Sequence, residues 1–172
     1  MKPFKSIQSP RTLIRRFRVD DKPDLISLLC DKEVTKHMAF PDEMLTPEGV
    51  SELLDITITS YTSPEPLLSF AIEDIKSKAF LGVSGFTVLT DNEIEIFYAF
   101  LPKYWGRGLA TEILEYLSNY VFEQDPRHTV VAPITWNNPA SIKVAEKNGF
   151  KSHGLKEDPN YKEPVYIYKK KR

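Results

Sequence analysis

Cysteine is nearly missing from this sequence. Cys30 stands alone among 172 residues, which excludes an intrachain disulfide and any metal site built from cysteine alone. Its neighbours Leu28 and Leu29 suit a thiol packed in a core. Histidine is scarce too: His37, His128 and His153 share no ligand spacing, so no metal is expected. Neither sign of charge dominates. With 23 Lys and Arg against 24 Asp and Glu the net charge is −1, so no positive excess is available to hold a nucleic-acid backbone. The basic run from Lys169 to Arg172 reads as a solvated tail. No apolar run reaches the roughly 18 residues of a membrane span, and the first residues are too polar for a secretion signal. The expectation is a cytoplasmic chain, monomer or homodimer, with no nucleic-acid or membrane partner.

What is present is an ordinary globular composition, 41% apolar and 27% charged, with length for one domain over residues 1–172. Residues 1–10 read as an arm, because Pro3 and Pro10 block regular pairing. Thr12 to Val19 reads as a strand with Arg15, Arg16 and Arg18 partly exposed, and Asp21 as a helix N-cap before the stripe Leu25, Leu28, Leu29. A second helix is expected from Pro47 to about Thr59. Leu68 to Glu73, Phe80 to Leu89 and Glu93 to Phe100 follow as an antiparallel meander, with turns at 76–78 and 91–92. A helix carries Leu109, Ile113, Tyr116, Leu117, Tyr120 and Val121 on one stripe, and the β-branched run Thr129 to Thr135 is a strand. With a helix between them, that strand and the one ending at Phe100 are expected to lie parallel. A short helix from Asn138 to Asn148, stopped by Gly149, precedes two strands near 150–155 and 164–169. The fold class is α+β, a mixed and largely antiparallel sheet flanked by helices.

The stretch Leu101-Pro-Lys-Tyr-Trp-Gly-Arg-Gly-Leu-Ala-Thr111 places two glycines, and no acidic residue, where a helix begins. Unpaired N–H groups and partial positive charge at a helix start suit an anion, phosphate above all. Gly106 and Gly108 let backbone approach such a ligand, Arg107 adds charge, and Ala110 is small where the first turn packs close. The alternative is a tight strand-to-helix connection and nothing more. Two known phosphate loops do not fit: Gly108-Leu109 lacks the Gly-Lys-Ser/Thr of a P-loop, and a meander is the wrong setting for a dinucleotide loop.

Four pieces in order carry a resemblance: Glu95-Ile-Phe-Tyr98; Pro102 with Trp105-Gly-Arg-Gly-Leu-Ala-Thr-Glu112; Asn138-Pro-Ala-Ser141; and Glu146-Lys-Asn-Gly-Phe150. Together they resemble the GNAT superfamily of acetyltransferases, and within it the RimJ/RimL branch, whose opening strand is similar to Ser9-Pro-Arg-Thr-Leu-Ile-Arg-Arg-Phe-Arg-Val-Asp-Asp21. The resemblance implies central parallel strands that splay apart, acetyl-CoA as cosubstrate, and acetyl transfer to a primary amine, either a protein N-terminus or a small molecule, by direct attack on the thioester. It implies that Trp105, Gly106, Arg107, Gly108, Leu109, Ala110 and Thr111 hold the pyrophosphate, and that backbone near Tyr98 and Phe100 pairs with pantetheine as an added strand would. Asn138, with Pro139 behind it, suits a helix N-cap; the resemblance adds a contact to pantetheine, and the two roles are compatible.

Transfer requires a neutral amine, a donor for the carbonyl oxygen and a stabilised leaving thiolate. Glu95 matches the glutamate of the family's Glu-Ile-x-Tyr run and is the candidate base, through a water. Its alternative is a solvent-facing strand residue, since Glu93 and Glu95 alternate with Ile94 and Ile96. Many members place a Tyr in the last helix for the thiolate; Ala145 stands there instead. The branch suggests Ser141 as donor, against a local first-turn bond. The acceptor pocket is expected from residues 34–45 and 153–166, with His37, Met38, Phe40, Tyr161 and Tyr166 as candidates and the pairs Asp42-Glu43 and Glu157-Asp158 as cation attractors. The missing tyrosine leaves a second reading, a non-catalytic acyl-CoA sensor of the same fold.

Overall fold

Period-two alternation in the central strands divides this molecule into two layers. The computed structural model describes residues 4–125 and 128–172. Eight strands form one sheet in the order β1-β2-β3-β4-β5-β6-β8-β7. They are β1 (Ser6–Gln8), β2 (Thr12–Arg15), β3 (Ser69–Asp74), β4 (Phe80–Val88), β5 (Glu93–Phe100), β6 (Thr129–Thr135), β7 (Lys151–Lys156) and β8 (Val165–Lys170). The helices are α1 (Lys22–Leu29), α2 (Lys32–Thr35), α3 (Pro47–Ser60), α4 (Leu109–Gln124) and α5 (Pro139–Lys147). No helix among the described residues is long and apolar enough to cross a membrane.

Ile94, Ile96 and Phe100 of β5 join α4 and α5 in one core layer, which includes Ile113, Leu117, Val121, Ala145 and Phe150. Ala99, one residue out of step, joins α1 and α3 in the other layer, with Leu25, Leu28, Val50 and Leu54. The regular strand period then sends Glu95 and Phe97 toward α1 and α3, and Tyr98 toward α4 and α5. Each fully buried aliphatic side chain of these layers contributes about 1.5–3 kcal/mol.

Three expectations need correction. The residues before Pro10 are not an unpaired arm: Ser6–Gln8 pair antiparallel with β2, Ser6 opposite Arg15. Pro10 sits in the following turn, where the Ser9 N–H bonds Thr12 O at 2.9 Å and the Thr12 N–H bonds Ser9 Oγ at 2.9 Å, so its missing N–H costs no ladder bond. Pro3 lies outside the described residues. Arg15 is buried, because its guanidinium meets both Asp21 oxygens at 2.8 Å and Glu73 Oε2 at 2.7 Å. Asp21 is therefore committed to Arg15 and to the Arg18 N–H, and its side chain does not cap α1.

The sheet is antiparallel except between β5 and β6. That parallel pairing is short: Glu93 with Thr129, Ile94 with Val130, Glu95 with Val131. Beyond it β5 keeps its ladder to β4 as far as Phe100, and β6 keeps its ladder to β8 as far as Thr135. The strands part at Glu95, leaving a fork in the middle of the sheet.

Candidate active site

At the far end of β5 a 3-10 turn over Pro102–Tyr104 leads into the two glycines. Both take φ of +73°, the left-handed region that favours glycine. A Cβ at Gly106 would meet nothing within 4 Å, and one at Gly108 only Arg11 Nη2 at 3.8 Å, so neither glycine is needed for packing. Gly108 is the N-cap of α4 and supplies no side-chain cap, which leaves the first N–H groups of a sixteen-residue helix directed out of an exposed turn. Such an arrangement receives anions.

Arg11, from the turn before β2, grips this turn. Its Nη1 donates to Arg107 O at 2.8 Å and its Nε to Glu112 Oε2 at 2.6 Å. Glu112 is the first acidic residue of α4. Partial burial acts to raise its carboxyl; hydrogen bonds from Ser9 and Arg11 outweigh that and hold it below the ordinary range. Nothing in the sequence pattern singles out Arg11. The Arg107 guanidinium folds back over the Tyr104 ring and donates to Lys103 O at 2.9 Å. The Trp105 indole donates to Phe100 O at 2.8 Å, tying the turn to the last residue of β5. Ala110 is half-buried and Leu109 buried in the core beneath. Thr111 O accepts from Asn148 Nδ2 at 3.2 Å, and the same amide donates to Val144 O at 3.0 Å, so the end of α5 is pinned to the start of α4.

On this same side of the fork, Asn138 caps α5 through Oδ1, which accepts from the Ser141 N–H at 3.2 Å. Burial pushes the Tyr98 phenol up to about 12, with the nearby Ser141 side chain acting the other way, so it stays a neutral donor at physiological pH. Ala145, which stands where many family members have a tyrosine, is fully buried on α5 in the core layer.

Glu95 stands on the other side, at the last paired position before the strands part. Burial, and then the negative charge of Asp158, raise its carboxyl above the ordinary value. Tyr161 responds to both: burial first, then the charges of Glu95 and Asp158, push its phenol up. These two residues come from the connection between β7 and β8, where the Tyr161 N–H bonds Asp158 O at 3.0 Å. The facing wall is the connection between α1 and α3. His37 Nδ1 is 2.8 Å from Thr135 Oγ1 at the end of β6, and burial holds the imidazole below its usual value. Lys162 Nζ meets Asp42 Oδ1 at 2.5 Å, joining the two connections, so Asp42 is spent on an ion pair while the charge of Asp158 acts on Glu95. Of the pocket candidates, Met38 and Phe40 line a cavity on this side, and Tyr161 is within electrostatic reach of Glu95. Tyr166 is not on this side: it pairs with Ile134 in the ladder and packs against the α4 layer, edge-on to Tyr168.

The chain matches the family described as Acetyltransferase (GNAT) domain over residues 11–151. It is 22% identical over 154 residues to the uncharacterized N-acetyltransferase YoaA of Bacillus subtilis, covering 88% of this chain and 86% of that one. Its fold is similar to the crystal structure of a GNAT-family acetyltransferase from Bacillus anthracis, with a TM-score of 0.82, 24% identity, and coverage of 96% and 97% of the two chains. It is also similar to RimL, a ribosomal L7/L12 alpha-N-protein acetyltransferase in complex with coenzyme A, with a TM-score of 0.76 at 16% identity over 96% and 97%. These structures share the splayed mixed sheet, so the fold expected from the resemblance is the one observed.

Proposed function

Because this chain belongs to the GNAT acetyltransferase family, we propose that it moves the acetyl group of acetyl-CoA to a primary amine, a peptide N-terminus or a small molecule, with Glu95 as base and the glycine turn as phosphate holder. The observation that carries this reading is the fork at Glu95. It opens a passage through the sheet with the glycine turn, Asn138 and Tyr98 on one side and a carboxylate on the other.

The residues present fit the cosubstrate. Left-handed glycines with open space around them and an uncapped helix start suit a diphosphate at Gly106 to Thr111. The strand edge of β5 after Glu95 has no ladder partner in β6 and suits the amides of pantetheine. The Phe100 carbonyl is taken by Trp105, so pairing falls to the backbone before it, near Tyr98. Asn138 spends its oxygen on the helix and keeps its NH₂ group for donation. Bound there, acetyl-CoA supplies an activated acetyl thioester.

The protein's own groups then divide the proton work. Glu95, its carboxyl raised by burial and by Asp158, accepts a proton from the amine directly or through a water. The raised value narrows the gap to the acceptor's own pKa, about 8 for an α-amine against about 10.4 for a lysine. An α-amine or similarly weak base is thus the easier acceptor. Ser141 and Tyr98 donate hydrogen bonds where charge collects on the departing sulfur, and a β5 backbone N–H near Tyr98 polarises the carbonyl. A thiolate of pKa near about 8.5 leaves with hydrogen-bond help alone. Hydroxyls at Tyr98 and Ser141, where Ala145 has none to give, support transfer over a non-catalytic sensor. We read the enzyme as cytoplasmic, acting as a monomer or homodimer.

The test is to incubate the protein with acetyl-CoA and a panel of amines and N-terminal peptides and to follow free thiol. An amine-dependent rate above buffer is expected. CoA binding with no acceleration by any amine would leave the sensor.

A further inference from the structure

The side of the sheet that holds Glu95 also holds a cavity of about 200 Å³ between α1, α3 and the strands β4 and β5. Its walls are almost wholly apolar, with Leu25, Leu53, Met38, Phe40 and Phe97 among them. Two features connect it to the reacting centre. Thr87, at its rim and exposed, is the cross-strand partner of Glu95. Phe97 is two residues along β5 from Glu95 and therefore on the same face. Its ring takes the place a side chain at Gly85 would fill, since a Cβ there would come within 2.5 Å of Phe97 Cζ. Glycine at 85 thus lets an aromatic floor lie flat beside the fork.

The volume is meaningful. A cavity of about 150 Å³ lined by aliphatic and aromatic side chains accepts benzene. This one is larger, and Glu95 stands next to it, across the ladder from Thr87 and two residues along β5 from Phe97. An apolar recess beside a carboxylate suits a cationic head on a greasy body. A polycation leaves the recess unfilled, and a small polar N-terminus buries too little surface to use it.

We propose that the acceptor is a primary amine bearing one bulky apolar group, aromatic or branched aliphatic, within two or three bonds of the nitrogen, with the group seated against Phe97 and Met38 and the ammonium held by Glu95 before it loses its proton. This rests on the acetyltransferase reading above and narrows its acceptor. Glu95 attracts the ammonium and takes one of its protons through a water; the neutral nitrogen then bonds the acetyl carbon, the carbon–sulfur bond breaks, and the nitrogen's second proton passes to the departing CoA thiolate.

The experiment compares ethylamine, 3-methylbutylamine, 2-phenylethylamine and putrescine as acceptors for the full chain, with thiol release as readout. The value of kcat/KM is expected to rise at least roughly 10-fold from ethylamine to 2-phenylethylamine, the discrimination an apolar pocket provides. Thr87→Trp, at an exposed strand position, fills the rim, and Met38→Asp puts a charge in the opposite wall. Each should bring that ratio to within about threefold, through KM more than kcat. Ethylamine or putrescine equal to or better than 2-phenylethylamine would overturn the proposal, as would a ratio that survives both substitutions. Should none of the four amines release thiol, acetyl transfer to them fails as a reading and calorimetry decides the cavity. Tighter binding of 2-phenylethylamine than of ethylamine, weakened by Thr87→Trp, sustains it; equal affinities refute it.

Discussion

The two sides of the fork are built by different means. Toward α4 and α5 the working groups are mostly main chain: glycines at φ +73°, an uncapped helix start and a strand edge without a partner. Toward α1 and α3 they are side chains, Glu95, Asp158, Tyr161 and His37, brought in by two connections far apart in sequence and joined by Lys162 and Asp42. Under the proposed function the backbone cradle recognises what all acyl-CoA molecules share, and the side-chain chamber can be rebuilt for each amine without disturbing the sheet. That reading separates donor binding from acceptor choice, and each half can be attacked alone.

The largest effect is expected on the main-chain side. Gly108→Glu puts a Cβ into left-handed backbone and a carboxylate against phosphate, and CoA affinity should drop by about 100-fold or more in calorimetry with the circular dichroism spectrum unchanged. Next comes the side-chain half. Glu95→Gln should lower kcat by about 100-fold or more while CoA affinity stays as it was. Because the carboxylate must be ionised to accept a proton, wild-type activity falls as pH drops through the raised Glu95 value; the variant should lack that limb. A retained acid limb would assign it to another group. Tyr98→Phe should cost about tenfold in kcat and little in CoA binding, a loss read from single-turnover rates. Arg11→Gln should weaken CoA by roughly fivefold and leave amine KM alone, since the guanidinium is largely exposed and its bonds are screened.

The smallest effect is on stability. Glu95 has a higher pKa folded than unfolded, so the folded state holds the proton longer and stability declines as pH rises through that window. Above it the ionised carboxylate is a cost that glutamine avoids. Glu95→Gln should melt roughly 1–2 °C higher than wild type at pH 8, with the gap closing in acid. A variant that melts lower at pH 8 would mean that Glu95 makes a favourable contact there.

The same contrast explains what was legible in the sequence. The span Glu93 to Phe100, the helix after Gly108 and the cap at Asn138 show themselves through alternation, a helical stripe and an Asn-Pro pair, all local. The glycine turn is legible because its φ values demand a particular residue. Arg15 looked like an exposed strand residue because its partners Asp21 and Glu73 are 6 and 58 positions away. β1 was hidden by prolines that turn out to flank it or to lie outside the described residues. Arg11 meets Glu112 across a separation of 101 positions, and no local pattern announces that. Which residues of the two connections stand near Glu95 depends on strand register, and that placed Tyr166 on the opposite layer.

The parting of β5 and β6 carries a liability as well as a passage. Two main-chain edges face each other with hydrogen-bonding capacity unspent, and any extended segment with amides can zip into one of them. Under the proposed function acetyl-CoA is the tenant. Without it, strands exposed in other polypeptides compete, so ligand-free stocks should self-associate faster in light scattering than stocks kept with CoA. The same occupancy should raise the melting temperature by an amount set by ligand concentration over its dissociation constant.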